Sequence, residues 1–238
     1  MYKLMRIDII TSQPDLFTSV LANSIIGRAI ANKCINVNIH NLHNWAKDKF
    51  KHIDDTQYGG GSGMVIKCQP VFDCIDELKQ KLYNSSNEPF NKYDEIIYMT
   101  PDAPKLIQDD ANRLSLLNNI IILCGHYKGI DQRIRDELIT MEISIGDYVL
   151  TGGELPAMVL LDSVVRLIPG VLSDIESALT DSFMDGLLEP PIYTKPAIYK
   201  GLEVPEVLLS GNHQNINQWR QEKSYHKTKT IRPDLLDN

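Results

Sequence analysis

Ser144–Gly153 constrains this chain more than any other stretch. It reads Ser-Ile-Gly-Asp-Tyr-Val-Leu-Thr-Gly-Gly and runs straight into Glu154-Leu155-Pro156. It follows a β-rich run, Ile139–Ile145, and ends where Pro156 suits the first turn of a helix. No helical period lies between, so a tight loop held by its own backbone is expected. Three glycines in ten residues permit positive φ and a close approach to the main chain. Bare N–H and C=O groups of this kind suit a flat heterocycle, although an ordinary strand–helix turn uses the same residues. A second glycine loop adds weight. Ile120–Cys124 is a continuous apolar run, as in a strand buried on both faces, and Gly125-His126-Tyr127-Lys128-Gly129-Ile130-Asp131 follows it directly. Ligands of open α/β sheets sit beyond the carboxyl ends of such strands.

Along the chain, strands are expected at Met5–Ile10, Ile35–His40, Glu95–Met99, Ile120–Cys124 and Thr140–Ser144. Helices are expected from Pro14, with Leu16, Phe17 and Val20 on one face, and at Ser24–Lys33, Pro70–Leu82, Lys105–Leu116 and Asp131–Leu138. A strong helix is expected at Glu154–Ile168, with Leu155, Met158, Val159, Val165 and Ile168 as its apolar face. Asn41–Gly63 reads as a long polar loop ending in Gly59-Gly60-Gly61-Ser62-Gly63, a flap that orders with substrate. It lacks the Gly-Lys-Ser/Thr of a phosphate-binding P-loop. Strand–helix alternation argues for an α/β fold, a parallel sheet flanked by helices. The expected division is a first domain at 1–172, a linker at 173–180 and a small, mainly helical domain at 181–238.

With 238 residues, the chain has room for one large domain, or one medium domain and a small one. No apolar run reaches the length of a membrane span and no secretory signal opens the sequence, so a cytoplasmic protein with no membrane partner is expected. Cys34, Cys68, Cys74 and Cys124 form no Cys-x-x-Cys pair, and His40, His43, His52, His126, His213 and His226 have no metalloprotease spacing. Reduced thiols and no structural metal are therefore expected. The net charge of −7 argues against a non-specific nucleic-acid binder. Locally, Arg220, Lys223, Lys227, Lys229 and Arg232 face a single acid, Glu222, and Lys47–Lys51 is a smaller basic patch. Phosphate contacts or a solvated surface explain both.

Taken together, the motifs resemble the TrmD family of bacterial tRNA (guanine-N1)-methyltransferases, of the knotted SPOUT class. They are Tyr58–Met64, Cys124–Asp131, Ser144–Met158, Asp181–Phe183 and Val207–His213, in the family's order, and the similarity runs from about Met5 to Leu236. The resemblance implies a C-terminal trefoil knot in the first domain, an obligate homodimer with a shared site, and tRNA rather than DNA as partner. It implies methyl transfer from S-adenosylmethionine to N1 of the guanine just 3′ of the anticodon, with magnesium as a further cofactor that has no nameable ligand. The knot is expected to build the cofactor pocket from Tyr98–Lys105, Gly125–Gly129 and Ser144–Gly153. Gly125, Ser144, Ile145, Gly146, Asp147, Tyr148, Val149 and Leu150 are expected to grip adenine and ribose through the backbone. Tyr98, Pro101, Tyr127, Gly129, Gly152 and Gly153 complete the pocket.

The resemblance assigns Asp181 as the base that removes the N1 proton and Arg166 as the cation that holds the charge developing on O6. Read without it, Asp181 is a helix N-cap, and Arg166 is one member of an i,i+4 ion pair with Asp162. Tyr148 and Leu150 are as well explained by core packing. Two positions depart from the family pattern: Lys128 stands where other members carry glutamate, and Ala103 where they carry glycine. The chain also ends at Asn238, where several members extend further, so a trimmed tRNA grip is expected. Two other readings are a non-catalytic RNA-binding protein on the same fold and a Rossmann-type nucleotide enzyme. The second requires a glycine fingerprint after the first strand, where Thr11-Ser12-Gln13-Pro14 stands instead.

Overall fold

The apolar run around Ile120 forms β6 (Asn119–Cys124), with every residue buried. It lies in the middle of a five-stranded sheet ordered β2-β1-β6-β5-β7, where β1 is Met5–Thr11, β2 Ile35–Asn41, β5 Glu95–Met99 and β7 Met141–Ile143. All the pairings are parallel. The computed structural model describes residues 4–85, 90–172 and 181–236. The linker expected at 173–180 lies outside them. The chain divides into two compact units, Met1–Ser173 and Asp174–Asn238.

Alternation along β6 explains its composition. Ile120, Ile122 and Cys124 join one core with Ile7, Ile9, Ile97 and Met99. Helices α2 (Ser24–Ala31), α4 (Gln108–Ser115) and α6 (Glu154–Val165) cover that face through Ile26, Ala29, Ala111, Leu114, Leu160 and Val164. Ile121 and Leu123 join a second core with Ile10, Ile96 and Tyr98. Helices α3 (Cys68–Ser85) and α5 (Gln132–Leu138) cover it through Val71, Cys74, Ile75, Leu78 and Ile134. A strand that serves two cores must be apolar at every position. The first unit is thus an α/β structure with a central parallel sheet flanked by helices.

Several elements differ from expectation. The buried face of α6 is Ala157, Leu160, Leu161, Val164 and Val165, while Leu155 and Val159 are about half exposed. The helix is apolar all round, so its periodicity does not select a face. It stops at Val165, and its end tightens through Leu167 N–H to Val164 and Ile168 N–H to Val165. The segment from Pro14 is a 3₁₀ turn, Pro14–Phe17, before a short helix, with Phe17 buried and Leu16 exposed. Helix α4 starts only at Gln108, because Lys105 and Leu106 are drawn into backbone pairing with Ser144. The expected loop Asn41–Gly63 contains a 3₁₀ turn, Leu42–Trp45, and β3 (Asp54–Thr56), which pairs antiparallel with β4 (Met64–Ile66) around the glycine tip. Cys34, Cys68, Cys74 and Cys124 are free thiols, and all but Cys68 are buried.

The second unit carries a two-stranded pairing, Ile198–Tyr199 with Leu202–Glu203, and a long helix, His213–Ile231, capped by Asn212. Thr228, fully buried, accepts from the Leu188 N–H at 2.9 Å and anchors the segment preceding the hairpin on this helix. The helix presents Arg220, Lys223 and Lys229 to solvent.

One charge is buried deep in the sheet. Asp8 on β1 has no exposed surface and receives Arg6 Nε at 2.5 Å, His40 Nε2 at 2.7 Å, Tyr93 Oη at 2.7 Å and Asn38 Nδ2 at 3.1 Å. Burial alone would push its carboxyl up; the hydrogen bonds from His40, Arg6 and Tyr93 outweigh it and bring it down to about 2. A carboxyl lowered on folding contributes stability above its ordinary range and loses it as pH falls through the folded value. Asp8→Asn is therefore expected to unfold in less urea at neutral pH, by about 2 kcal/mol. The gap to the unaltered chain should narrow by about half at pH 3. A gap that stays constant over that range would refute the role of the charge.

Candidate functional site

Beyond the carboxyl ends of β5, β6 and β7, three loops enclose a cavity of about 410 Å³. That volume falls within the range of about 300–1,000 Å³ typical of small-molecule sites. The loops are joined by main chain. The Gly153 N–H donates to the Gly125 carbonyl at 2.7 Å, and His126 bridges antiparallel to Gly152. The Ser144 N–H donates to the Pro104 carbonyl at 2.9 Å, and Leu106 N–H to Ser144 at 2.8 Å. Gly153 has an ordinary φ of −82°, so conformation does not explain its identity. Contact does: a Cβ there would lie 2.7 Å from the Gly125 nitrogen and 2.8 Å from the Cys124 Cα. Gly146, at φ +152°, is the member of the loop that uses glycine's conformational freedom. The loop is also pinned by Ser144, whose hydroxyl donates to the Gly146 carbonyl at 3.0 Å and accepts from its N–H at 3.1 Å. It is held by its neighbours as well as by its own backbone.

Tyr98, Pro101, Gly125, Tyr127, Gly129, Ser144, Ile145, Gly146, Tyr148, Val149, Leu150, Gly152 and Gly153 all line the cavity. Asp147 does not: its carboxylate turns to the surface and pairs with Lys105 Nζ at 2.5 Å. Tyr148 and Leu150 are exposed, not packed in a core. Arg166 caps the end of α6 and lines a separate groove with Ser19, Asn23, Met158, Val159 and Asp162. Asp181 lies in the second unit and opens a turn, with the Met184 N–H 3.4 Å from its carbonyl; no helix begins there. Among the described residues, no group of three or more His, Cys, Asp or Glu side chains is arranged to hold a metal ion.

Sequence reasoning missed part of the wall. Arg135 on α5 lines the cavity, with its guanidinium bidentate on Glu142 at 2.6 and 2.7 Å and 2.9 Å from Asp102. It lies over the Tyr98 ring, 5.6 Å from the centroid. Thr100 Oγ1 also donates to Asp102. The hydrogen bonds from Thr100 and Arg135 hold the Asp102 carboxyl below its ordinary range, and Glu142 is the main reason the Arg135 guanidinium is raised. Burial pushes the Tyr98 phenol up, so it stays neutral. No spacing signal marks Arg135: an arginine on an amphipathic helix is ordinary.

The family model described as tRNA (Guanine-1)-methyltransferase TrmD matches residues 5–238. The chain belongs to the TrmD family. It is 56% identical to the tRNA (guanine-N(1)-)-methyltransferase of Christiangramia forsetii over 234 residues, covering 98% of this chain and all of the relative. It is 57% identical to that of Flavobacterium psychrophilum, again over 98% of this chain and all of the relative. With that of Porphyromonas gingivalis strain ATCC 33277 it shares 53%, over 98% of this chain and 99% of the relative. In this TrmD-family chain, Lys128 lines the cavity and its stem runs along the glycine tip, where a Cβ on Gly63 would lie 2.7 Å from Lys128 Cγ. The Lys128 N–H donates to the Met64 carbonyl at 3.0 Å, so the β3–β4 hairpin is tied to the cavity loop.

Gly153→Ala tests the joint between loops. Its methyl group meets backbone atoms that cannot rotate away, so a stability loss of about 1–3 kcal/mol is expected in chemical denaturation. Calorimetry should show ligand binding at the cavity lost or strongly weakened. Native stability with unchanged binding would contradict the close approach as the site's organising feature.

Proposed function

We propose that this chain transfers a methyl group from S-adenosylmethionine to N1 of the guanine immediately 3′ of the anticodon in tRNA. The observation that carries the proposal is the main-chain cavity at three joined loops in a chain of the TrmD family. Its lining suits the donor: Gly125, Gly152 and Gly153 let a planar base come close to the main chain, and apolar Ile145, Val149 and Leu150 lie beside them. The knotted arrangement expected of the class is part of the proposal. It is supported by the mutual bonding of the segments around Pro104, Gly125 and Ser144–Gly153.

The bound donor supplies a methyl group made electrophilic by its sulfonium. This chain's residues act on the nucleophile, because N1 of guanine carries a proton at neutral pH. Asp181 takes that proton and Arg166 neutralises the charge that spreads to O6. We place both in a homodimer, with Asp181 arriving from the second subunit. Support comes from Leu155 and Val159, half exposed on α6, and from the apolar groove of Val20, Ile26 and Met158 that Arg166 borders. The basic face of the His213–Ile231 helix suits tRNA phosphates. No helix among the described residues is long and apolar enough to cross a membrane. We place the protein in the cytoplasm, with its substrate. Magnesium belongs to the proposal without a named ligand.

The test is to incubate the protein with methyl-labelled S-adenosylmethionine and unmodified tRNA carrying guanine 3′ of the anticodon. Label should appear on N1 of that base. Asp181→Ala should lower kcat by about 10²–10⁴-fold while leaving donor binding intact. No label with the unaltered chain would reject the activity and favour an RNA-binding protein. An Asp181→Ala chain with normal kcat would reject the assigned base.

A further inference from the structure

We infer that Arg135 is a positioning residue for the methyl donor: it fixes the Tyr98–Asp102 wall of the cavity and so sets donor affinity. The inference rests on the donor-binding reading above. The wall needs a support. After β5 the chain leaves the sheet at Thr100, whose N–H donates to the Ile143 carbonyl at 3.0 Å, and regains backbone pairing only where Pro104 accepts from Ser144. Pro101, Asp102 and Ala103 lie between these ties, with Pro101 and Asp102 on the cavity.

Within the segment Thr100 Oγ1 donates to Asp102, and the support from outside it is the Arg135 guanidinium. Arg135 comes from α5, grips Glu142 with two N–H groups and reaches Asp102 with a third. Glu142 is the strand residue paired with Tyr98, so the fork is anchored on the sheet itself. Its plane lies over the Tyr98 ring, and a Cβ on Gly125 would lie 2.9 Å from the Tyr98 Oη. Tyr98 is therefore clamped between the arginine and the second glycine loop. The Arg135 side chain is 22% exposed and that of Glu142 27%, so this pair sits largely out of water and anchors the fork, while Asp102, 60% exposed, is held at its outer end. Its donors point at carboxylates of the chain, which leaves donor contact to the wall it holds. A lysine has one point charge and cannot span two carboxylates and a ring with a planar fork.

Arg113 provides the control. It pairs with Glu95 at 2.7 Å and with Met141 Sδ at 2.9 Å, joining α4 to the sheet without lining the cavity. In steady-state assays with tRNA, Arg135→Met should raise the KM for S-adenosylmethionine about tenfold or more, the scale on which misplaced binding groups act. The KM for tRNA should not change, and kcat should stay within about threefold, as expected when binding rather than transition-state contact is lost. Calorimetry with S-adenosylhomocysteine should show the same loss. Arg135→Lys should fall between, and Arg113→Met should lower the melting temperature without moving the donor KM. Asp102→Asn reads the same contact from the other side if Arg135→Met does not fold, and should also raise the donor KM. An unaltered donor KM in the folded Arg135 or Asp102 variant would overturn the inference. So would a fall in kcat matched by Arg113→Met. An unaltered chain that binds no donor would instead reject the functional reading.

Discussion

The contact on which the site depends is between two stretches of bare backbone. Gly153 donates to Gly125, and its Cα sits where any side chain would strike Gly125 and Cys124. That approach brings the loop after β7 onto the loop after β6, and both loops line the cavity. This joint is made by main chain alone, while the Pro101–Asp102 wall and the Ser144 loop are also held by the side chains of Arg135 and Ser144. The sheet that carries the joint is packed on both faces of β6.

Charge serves this architecture from behind. Glu154, almost fully buried, begins α6 and accepts from the Thr11 hydroxyl at 2.7 Å, joining the end of β1 to the helix that follows Gly153. A carboxylate in the first turn of a helix also faces the positive end of its dipole. Burial pushes the nearby Cys124 thiol well up, with the Glu154 charge adding to the effect, so that cysteine stays protonated beneath the loops. Arg135 and Asp8 do related work elsewhere, each satisfying several buried or half-buried partners at once. These few polar groups join elements whose other contacts are apolar.

Much of this was legible in the sequence, for identifiable reasons. A short, isoleucine-rich run such as Ile120–Cys124 fits a strand buried on both sides, and the glycine loop directly after it suits close approach of backbone. The two glycine loops of the cavity were found that way, while the Tyr98–Lys105 loop came from motif resemblance. The solvent-facing side of α6 was not, because Leu155 and Val159 are as apolar as the residues that are buried. Asp147 was expected to contribute backbone only; its side chain turns to Lys105, forty-two residues earlier, a pairing that spacing does not reveal. Arg135 was invisible because its partners Asp102 and Glu142 come together only through the sheet. The roles of Asp181 and Arg166 come from motif resemblance, and periodicity alone would have made them a cap and an ion pair.

Amide hydrogen exchange with and without S-adenosylmethionine tests the central claim most directly, because it reads the backbone groups proposed to hold the donor. Added protection should concentrate at Gly125–Gly129 and Ser144–Gly153, with a smaller effect at the Pro101 segment. Protection that spreads evenly over the sheet, or falls elsewhere and spares those loops, would contradict a donor gripped by main chain at the joined glycines.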